Sequence, residues 1–157
     1  INIHGDRGIG LKDFDHYCRC LDPFFELEEK YNVIFAHENV FFNSVNHPEF
    51  TYKLSQHFGD KVKFTFDIKQ ANKGGSIPIE VCKSMGGNIA NFHINDFDDQ
   101  NICLLPGEGK VDYESIFKIL RENNYNGPAI IEVYRNNFES NNQIVKAIEY
   151  LKSIVNA

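Results

Sequence analysis

Four side chains able to grip a cation recur along this sequence at wide, similar steps: Glu38, Asp67, His93 and Glu132, which stand 29, 26 and 39 residues apart. Each step leaves room for a helix and its two loops. Each residue also closes a short apolar run: Val33-Ile34-Phe35-Ala36 before His37-Glu38, Val62 to Phe66 before Asp67, Asn88 to Phe92 before His93, and Ala129-Ile130-Ile131 before Glu132. Three carboxylates and an imidazole meeting at one place repel one another unless paired, and a divalent cation removes that conflict. The mixed oxygen and nitrogen donors suit Mn²⁺, Zn²⁺, Co²⁺ or Mg²⁺. Taken singly, each carboxylate could cap the next helix or face water, and His93 could be a hydrogen-bonded structural residue. Repetition at the same end of four successive runs is what points to a site.

The runs alternate with amphipathic stretches, the pattern of βα units around a parallel sheet. A helix opens at Pro48, carries Phe50, Leu54 and Phe58 on one face, and stops at Gly59. Beyond a loop containing Gly74-Gly75-Ser76, a short helix is expected from Pro78 to about Met85, closed by Gly86-Gly87. Asp112 should cap a helix whose apolar face is Ile116, Phe117 and Leu120. The last helix carries Ile144, Val145, Ile148, Leu151, Ile154 and Val155 at helical spacing. Upstream, Ile1-Asn2-Ile3 reads as one more strand ending at His4, with a return helix from Leu21 to Tyr31 that turns Phe24, Phe25 and Leu27 inward. Five units in one pass, each crossover right-handed, make either an open sheet or five-eighths of a closed (β/α)₈ barrel. In both, ligands bind at the carboxyl edge of the strands, where the four residues fall.

The 157 residues suffice for one domain over 1–157. Acids outnumber bases 22 to 16 and no local basic stripe offsets the net charge of −6, so nucleic acid is not an expected partner. No apolar run approaches the roughly 20 residues that cross a bilayer, and no membrane partner is expected. Cys18, Cys20, Cys82 and Cys103 lack paired zinc-type spacing and read as reduced thiols of a cytoplasmic protein.

The segments Ile34-Phe35-Ala36-His37-Glu38-Asn39, Phe64-Thr65-Phe66-Asp67-Ile68-Lys69-Gln70, Asn91-Phe92-His93-Ile94-Asn95-Asp96, Leu105-Pro106-Gly107-Glu108-Gly109-Lys110-Val111-Asp112 and Ile130-Ile131-Glu132-Val133 occur in the order of a known family. The chain resembles the xylose isomerase-like barrels, which include sugar-phosphate isomerases and epimerases, inositol-catabolism enzymes and the endonuclease IV type of DNA-repair enzyme. The resemblance implies that strands five to eight deliver Glu38, Asp67, His93 and Glu132 to one divalent metal ion. It places Ile1 to Gly5 at the end of strand four, so the sequence corresponds to the C-terminal part of a (β/α)₈ barrel of about 250 residues. The activity it implies is isomerisation or epimerisation of a sugar or sugar phosphate through a metal-stabilised enediolate, with Glu38 and Glu132 moving the proton on opposite faces of the carbon. A polyol or inosose-type dehydratase or lyase on the same scaffold is the near alternative. An inactive barrel fragment that self-associates is another.

Departures from the family pattern narrow this. Gln70 stands where members often carry a histidine, and it suits a substrate hydroxyl better than a metal. The loop Asp98-Asp99-Gln100-Asn101-Ile102-Cys103-Leu104-Leu105 has no histidine, so the endonuclease ligand pair is missing. Lys69, Lys110 and Arg135 follow strands six, seven and eight and are candidates to hold a substrate phosphate or carboxylate, as solvated loop cations also would be placed. Gly107-Glu108-Gly109-Lys110 lacks the spacing of a phosphate-binding loop. His4 and His37 lie near strand ends, His4 as a further substrate-binding candidate; His16, His47 and His57 read as surface residues. Half a barrel leaves an unpaired strand edge and apolar helix faces. The isolated chain is therefore expected to self-associate, and light scattering should give a mass above the 18.1 kDa monomer; a monodisperse monomer would refute this.

Overall fold

Five short strands lie side by side in chain order, all parallel, in a computed structural model that describes residues 1–8 and 10–155. They are β1 (Asn2–His4), β2 (Ala36–Glu38), β3 (Lys63–Asp67), β4 (Ile89–Ile94) and β5 (Ala129–Ile131). The helices are α1 (Phe14–Tyr31), α2 (Pro48–Phe58), α3 (Ile68–Lys73), α4 (Pro78–Met85), α5 (Tyr113–Glu122) and α6 (Asn141–Val155). At least one helix separates each pair of neighbouring strands, so every step is a βαβ crossover. None of the described helices is long and apolar enough to cross a membrane.

Local chemistry explains most boundaries. Pro48 and Pro78 open α2 and α4, where a missing N–H costs nothing. Gly59 and Gly86 end them at φ 58° and 52°, a region that suits glycine. Asp112 caps α5 by accepting from the Ser115 amide at 3.0 Å, as its position predicts. Four expectations need correction. Helix α1 begins at Phe14, not Leu21: Asp13 caps it by accepting from the His16 amide, and Pro23 sits inside it. Its buried stripe is Tyr17, Cys18 and Leu21, continued by Phe24 and Phe25 at the edge of the core. Leu27 lies off that stripe and is 39% exposed. Strand β2 starts at Ala36, not Val33, and α3 is a helix where only a loop was expected.

The core lies between the sheet and its helices. Phe64 and Phe66 on β3 and Phe92 and Ile94 on β4 face the helices, and all four are essentially buried. The Phe66 and Phe92 rings stack at 5.2 Å, and Phe117 of α5 meets Phe92 edge-on at 6.1 Å. Leu54, Ile68, Met85 and Ile116 close the same cluster with no more than 1% exposure each. Burying side chains of this size contributes about 1.5–3 kcal/mol apiece. Along α6, Ala147 and Leu151 are buried, whereas Val145, Ile148 and Val155 stay exposed.

The opposite face of the strands is polar: Thr65 and Asp67 on β3, Asn91 and His93 on β4. A one-residue irregularity brings them level. Phe64 pairs with Ile89, but the next residue, Thr65, pairs with Asn91, so Ala90 is extra and Asp67 comes to lie beside His93. A bulge of this kind re-aims every later side chain on its strand.

Beyond the strand ends, Asn39 clamps β3. Its Oδ1 accepts from the Asp67 amide at 2.7 Å and its Nδ2 donates to the Asp67 carbonyl at 2.9 Å, with Asn39 fully buried. Replacing it with leucine strands both Asp67 backbone groups, and an orphaned buried group costs about 1–3 kcal/mol. Asn39→Leu should therefore lower the urea midpoint markedly at unchanged slope; an unchanged midpoint would show that the clamp is not needed.

Candidate metal centre

At the carboxyl edge of the sheet, one atom each of Glu38, Asp67, His93 and Glu132 lies within 4.8 Å of all the others. Glu38 and His93 are strand residues, Asp67 ends β3 and caps α3, and Glu132 follows β5, its amide still on the ladder through a 2.9 Å bond to the Ile94 carbonyl. The four residues read from the sequence as possible ligands are thus brought together.

His93 Nδ1 is the hub. It lies 3.2 Å from Glu132 Oε2, 3.6 Å from Asp67 Oδ2 and 4.0 Å from Glu38 Oε1. These distances give strong attraction, yet Nδ1 and Asp67 Oδ2 are both buried without an aligned hydrogen-bond partner. The other oxygen of Asp67 is fully engaged: Oδ1 accepts from the Gln70 amide at 2.9 Å and from Asn95 Nδ2 at 3.2 Å. One carboxylate oxygen is tied into the scaffold and its twin is left aimed at an imidazole nitrogen. Buried polar atoms are rarely left so. A divalent cation fits this donor set of carboxylate oxygens and one imidazole.

Lys69 reaches the same spot from the first turn of α3. Its Nζ lies 3.3 Å from Glu132 Oε2 and 3.9 Å from Asp67 Oδ2, over the Tyr134 ring at 5.0 Å, and its side chain is only 5% exposed. The electrostatics follow from this crowding. Burial pushes the Asp67 carboxyl above its ordinary range, against the pull of His93. Glu132 is held well below the carboxylate range by the His93 ring beside it, with Lys69 adding to the effect. Burial alone would lower His93, but Asp67 and Glu132 outweigh it and lift the ring to about 9. Lys69 is likewise raised, because the Asp67 and Glu132 carboxylates overcome its desolvation.

The remaining candidates separate. His4 joins the rim, with Nε2 at 3.4 Å from Glu38 Oε2. Gln70 is adjacent but uses Oε1 to accept from the Phe41 amide at 3.2 Å. Lys110 pairs with Asp99 in an exposed loop, and Arg135 donates to the Phe138 carbonyl at 2.7 Å; neither forms an ion pair with the four. His37 points the other way, buried against the Tyr17 hydroxyl at 3.4 Å, and burial lowers it to about 4, so it stays neutral. The Leu105 to Asp112 segment is held by Asp96, which accepts from the amides of Phe97, Gly107 and Val111.

The sequence model of the xylose isomerase-like TIM barrel matches residues 2–154. The chain belongs to that family. Inosose dehydratase of Clostridium botulinum (strain Eklund 17B) is 29% identical over 107 residues, 57% of this chain and 34% of that protein; inosose dehydratase of Clostridium perfringens (strain ATCC 13124) is 25% identical over 115 residues, 60% and 39%. A D-tagatose 3-epimerase-like protein superposes with a TM-score of 0.73 at 23% identity, covering 99% of this chain and 62% of that one. The IolI protein, solved with a zinc atom bound, superposes at 0.66 and 25% identity, covering 86% and 54%. The chain spans little more than a third of the length of the curated relatives it matches. Its five parallel strands are part of the xylose isomerase-like barrel.

Asparagines that the sequence reading passed over hold this rim in place: Asn2, whose Nδ2 donates to Glu38 Oε2 at 2.5 Å, Asn39, Asn91 and Asn95. Their only signal is position, each within two residues of a strand-end residue. The raised His93 sets a pH dependence. Its contribution to stability is complete below 6.5, the ordinary value, and is lost as pH rises through about 9. In chelator-treated protein, the melting temperature should fall across that window, and His93→Gln should abolish the fall; an identical fall in the variant would assign it to another group.

Proposed function

We propose that Glu38, Asp67, His93 and Glu132 hold one divalent cation and that the site moves a proton beside the carbonyl of a small polyhydroxylated substrate, as a sugar or sugar-phosphate isomerase or epimerase does. The observation that carries this reading is the pair of buried, unpartnered atoms, Asp67 Oδ2 and His93 Nδ1, facing two further carboxylates within 4.8 Å. A cation bound there supplies Lewis-acid polarisation of a substrate oxygen. Zinc in the IolI protein supports Zn²⁺ as one candidate, with Mn²⁺, Co²⁺ and Mg²⁺ sharing the donor preference.

The chain's own residues divide the remaining work. Glu132, with its side chain 43% exposed, is open to a substrate, and His93 and Lys69 keep it ionised while tempering its basicity. Glu38 is the second proton carrier, 5% exposed and fixed by Asn2 and His4 through Oε2. Holding both near one carbon is worth far more than their intrinsic basicity, because orientation removes most of the entropic cost of meeting. Lys69, Gln70 and His4 border the rim and orient substrate oxygens. Lys110 and Arg135, tied to Asp99 and to Phe138, drop out of that set.

Dehydration is the second reading, favoured by the inosose dehydratases among the relatives. It shares the first proton abstraction and differs in losing a neighbouring hydroxyl. The net charge of −6 without a basic stripe supports a small-molecule partner over nucleic acid.

Glu132→Gln tests the shared step. The variant should fold normally and lose solvent-deuterium exchange at the substrate carbon by at least about 100-fold, the lower end of what a positioned base contributes. Exchange is followed by proton NMR on a panel of ketohexoses and inososes with Mn²⁺ or Zn²⁺ added. Exchange retained at the native rate would remove Glu132 from the reaction.

A further inference from the structure

Asn91 sits on β4 two residues before His93, on the same face of the strand. Its Nδ2 lies 2.9 Å from His93 Nε2, while its own Oδ1 is buried without a partner. An amide nitrogen facing Nε2 is satisfied only if Nε2 carries a lone pair, which puts the single proton of a neutral ring on Nδ1. Yet Nδ1 is the nitrogen aimed at Glu38, Asp67 and Glu132. A ring that offers the Nδ1 lone pair to a cation must carry its hydrogen on Nε2, and that N–H then needs an acceptor. Asn91 is the residue within hydrogen-bonding distance of Nε2 among the described residues. A half-turn of its amide exchanges nitrogen for oxygen at nearly the same place and supplies that acceptor. The Asn91 amide makes no other hydrogen bond to the described residues, so nothing besides His93 holds either orientation in place.

We propose that Asn91 is the positioning residue of this site: its Oδ1 accepts from His93 Nε2–H, holds the ring in that tautomer, and thereby selects Nδ1 as the nitrogen offered to the cation. Ligating histidines commonly present their second nitrogen to such a partner, and losing the partner typically costs 10–100-fold in metal affinity. The proposal rests on the cation-site reading and extends it to a residue no ligand pattern marks. The hydrogen bond of the Asn91 side chain is to His93 Nε2, so it acts through His93.

Two measurements test it independently. Calorimetric titration of Zn²⁺ or Co²⁺ into wild type, Asn91→Leu and Asn91→Asp should show the leucine variant binding about 10–100-fold more weakly, with the aspartate variant at or above wild-type affinity because it keeps an acceptor. Equal affinity for wild type and Asn91→Leu, or weaker binding by Asn91→Asp than by Asn91→Leu, overturns the proposal. Long-range ¹H–¹⁵N spectra of the Zn²⁺-loaded wild type read which ring nitrogen of His93 carries the hydrogen. An Nε2-protonated ring supports the proposal, and an Nδ1-protonated ring refutes it. Wild type that binds no cation overturns the cation-site reading and the proposal with it, whereas equal binding by wild type and Asn91→Leu overturns the proposal alone.

Discussion

The whole rim is organised by the cost of putting three carboxylates and an imidazole into a space a few ångströms across. In water such a cluster would spread apart; here Asp67 and Glu38 are almost wholly buried and cannot. Coulomb repulsion in a medium of reduced dielectric grows to several kcal/mol per pair at such separations. The chain answers with three devices: one lysine within 3.3 Å, one histidine raised to about 9, and a set of amides that tie down the outer carboxylate oxygens. None of them satisfies the innermost atoms. Asp67 Oδ2 and His93 Nδ1 stay buried without an aligned partner, and that tension separates the cluster from an ordinary surface ion-pair network.

The scaffold's contribution is alignment. A parallel sheet places successive strand ends along a sloping line, so side chains from different strands meet only if each strand's phase is right. Glu38 pairs in register with Thr65, two residues short of Asp67, and the extra residue Ala90 brings His93 level with Asp67. Asp67 is fixed from both sides, its backbone by the Asn39 amide and its side chain by the first turn of α3. The same carboxylate caps a helix with one oxygen and faces the rim with the other. Folding the short α3 and orienting the candidate ligand are therefore one event, and Lys69 arrives at the site as a by-product of that turn.

Much of this was legible in the residues alone, for reasons that can be stated. Proline at a first helical position and glycine at positive φ are local signals, and α2 and α4 have the bounds that such signals predict. The four strand-end residues stood out because ionisable side chains rarely end consecutive apolar runs by chance. What escaped depends on tertiary registration. Ala90 carries no mark of being extra. The return helix expected from Leu21 in fact begins seven residues earlier, at Phe14 behind the Asp13 cap. Lys69, Lys110 and Arg135 are equivalent as loop cations after strands, and only the α3 turn, the Asp99 pair and the Phe138 carbonyl distinguish them. Asparagines escaped most completely, since an amide that steadies a carboxylate and one that faces water have the same sequence.

The two glutamates are not equivalent, and this bears on the chemistry. Glu38 is deeply buried with its outer oxygen pinned by Asn2 and His4, so it can reposition little. Glu132 stands on a segment just past β5, is nearly half exposed, and shares one oxygen between His93 and Lys69. An epimerase needs two carriers of matched strength on opposite faces, because the proton must be delivered as readily as it is removed. A dehydratase needs one strong base and a separate acid for the departing hydroxyl, and the rim already holds a cationic amine beside its exposed carboxylate. Held low by His93 and Lys69, Glu132 is a tempered base rather than a strong one, and the fold itself serves either outcome.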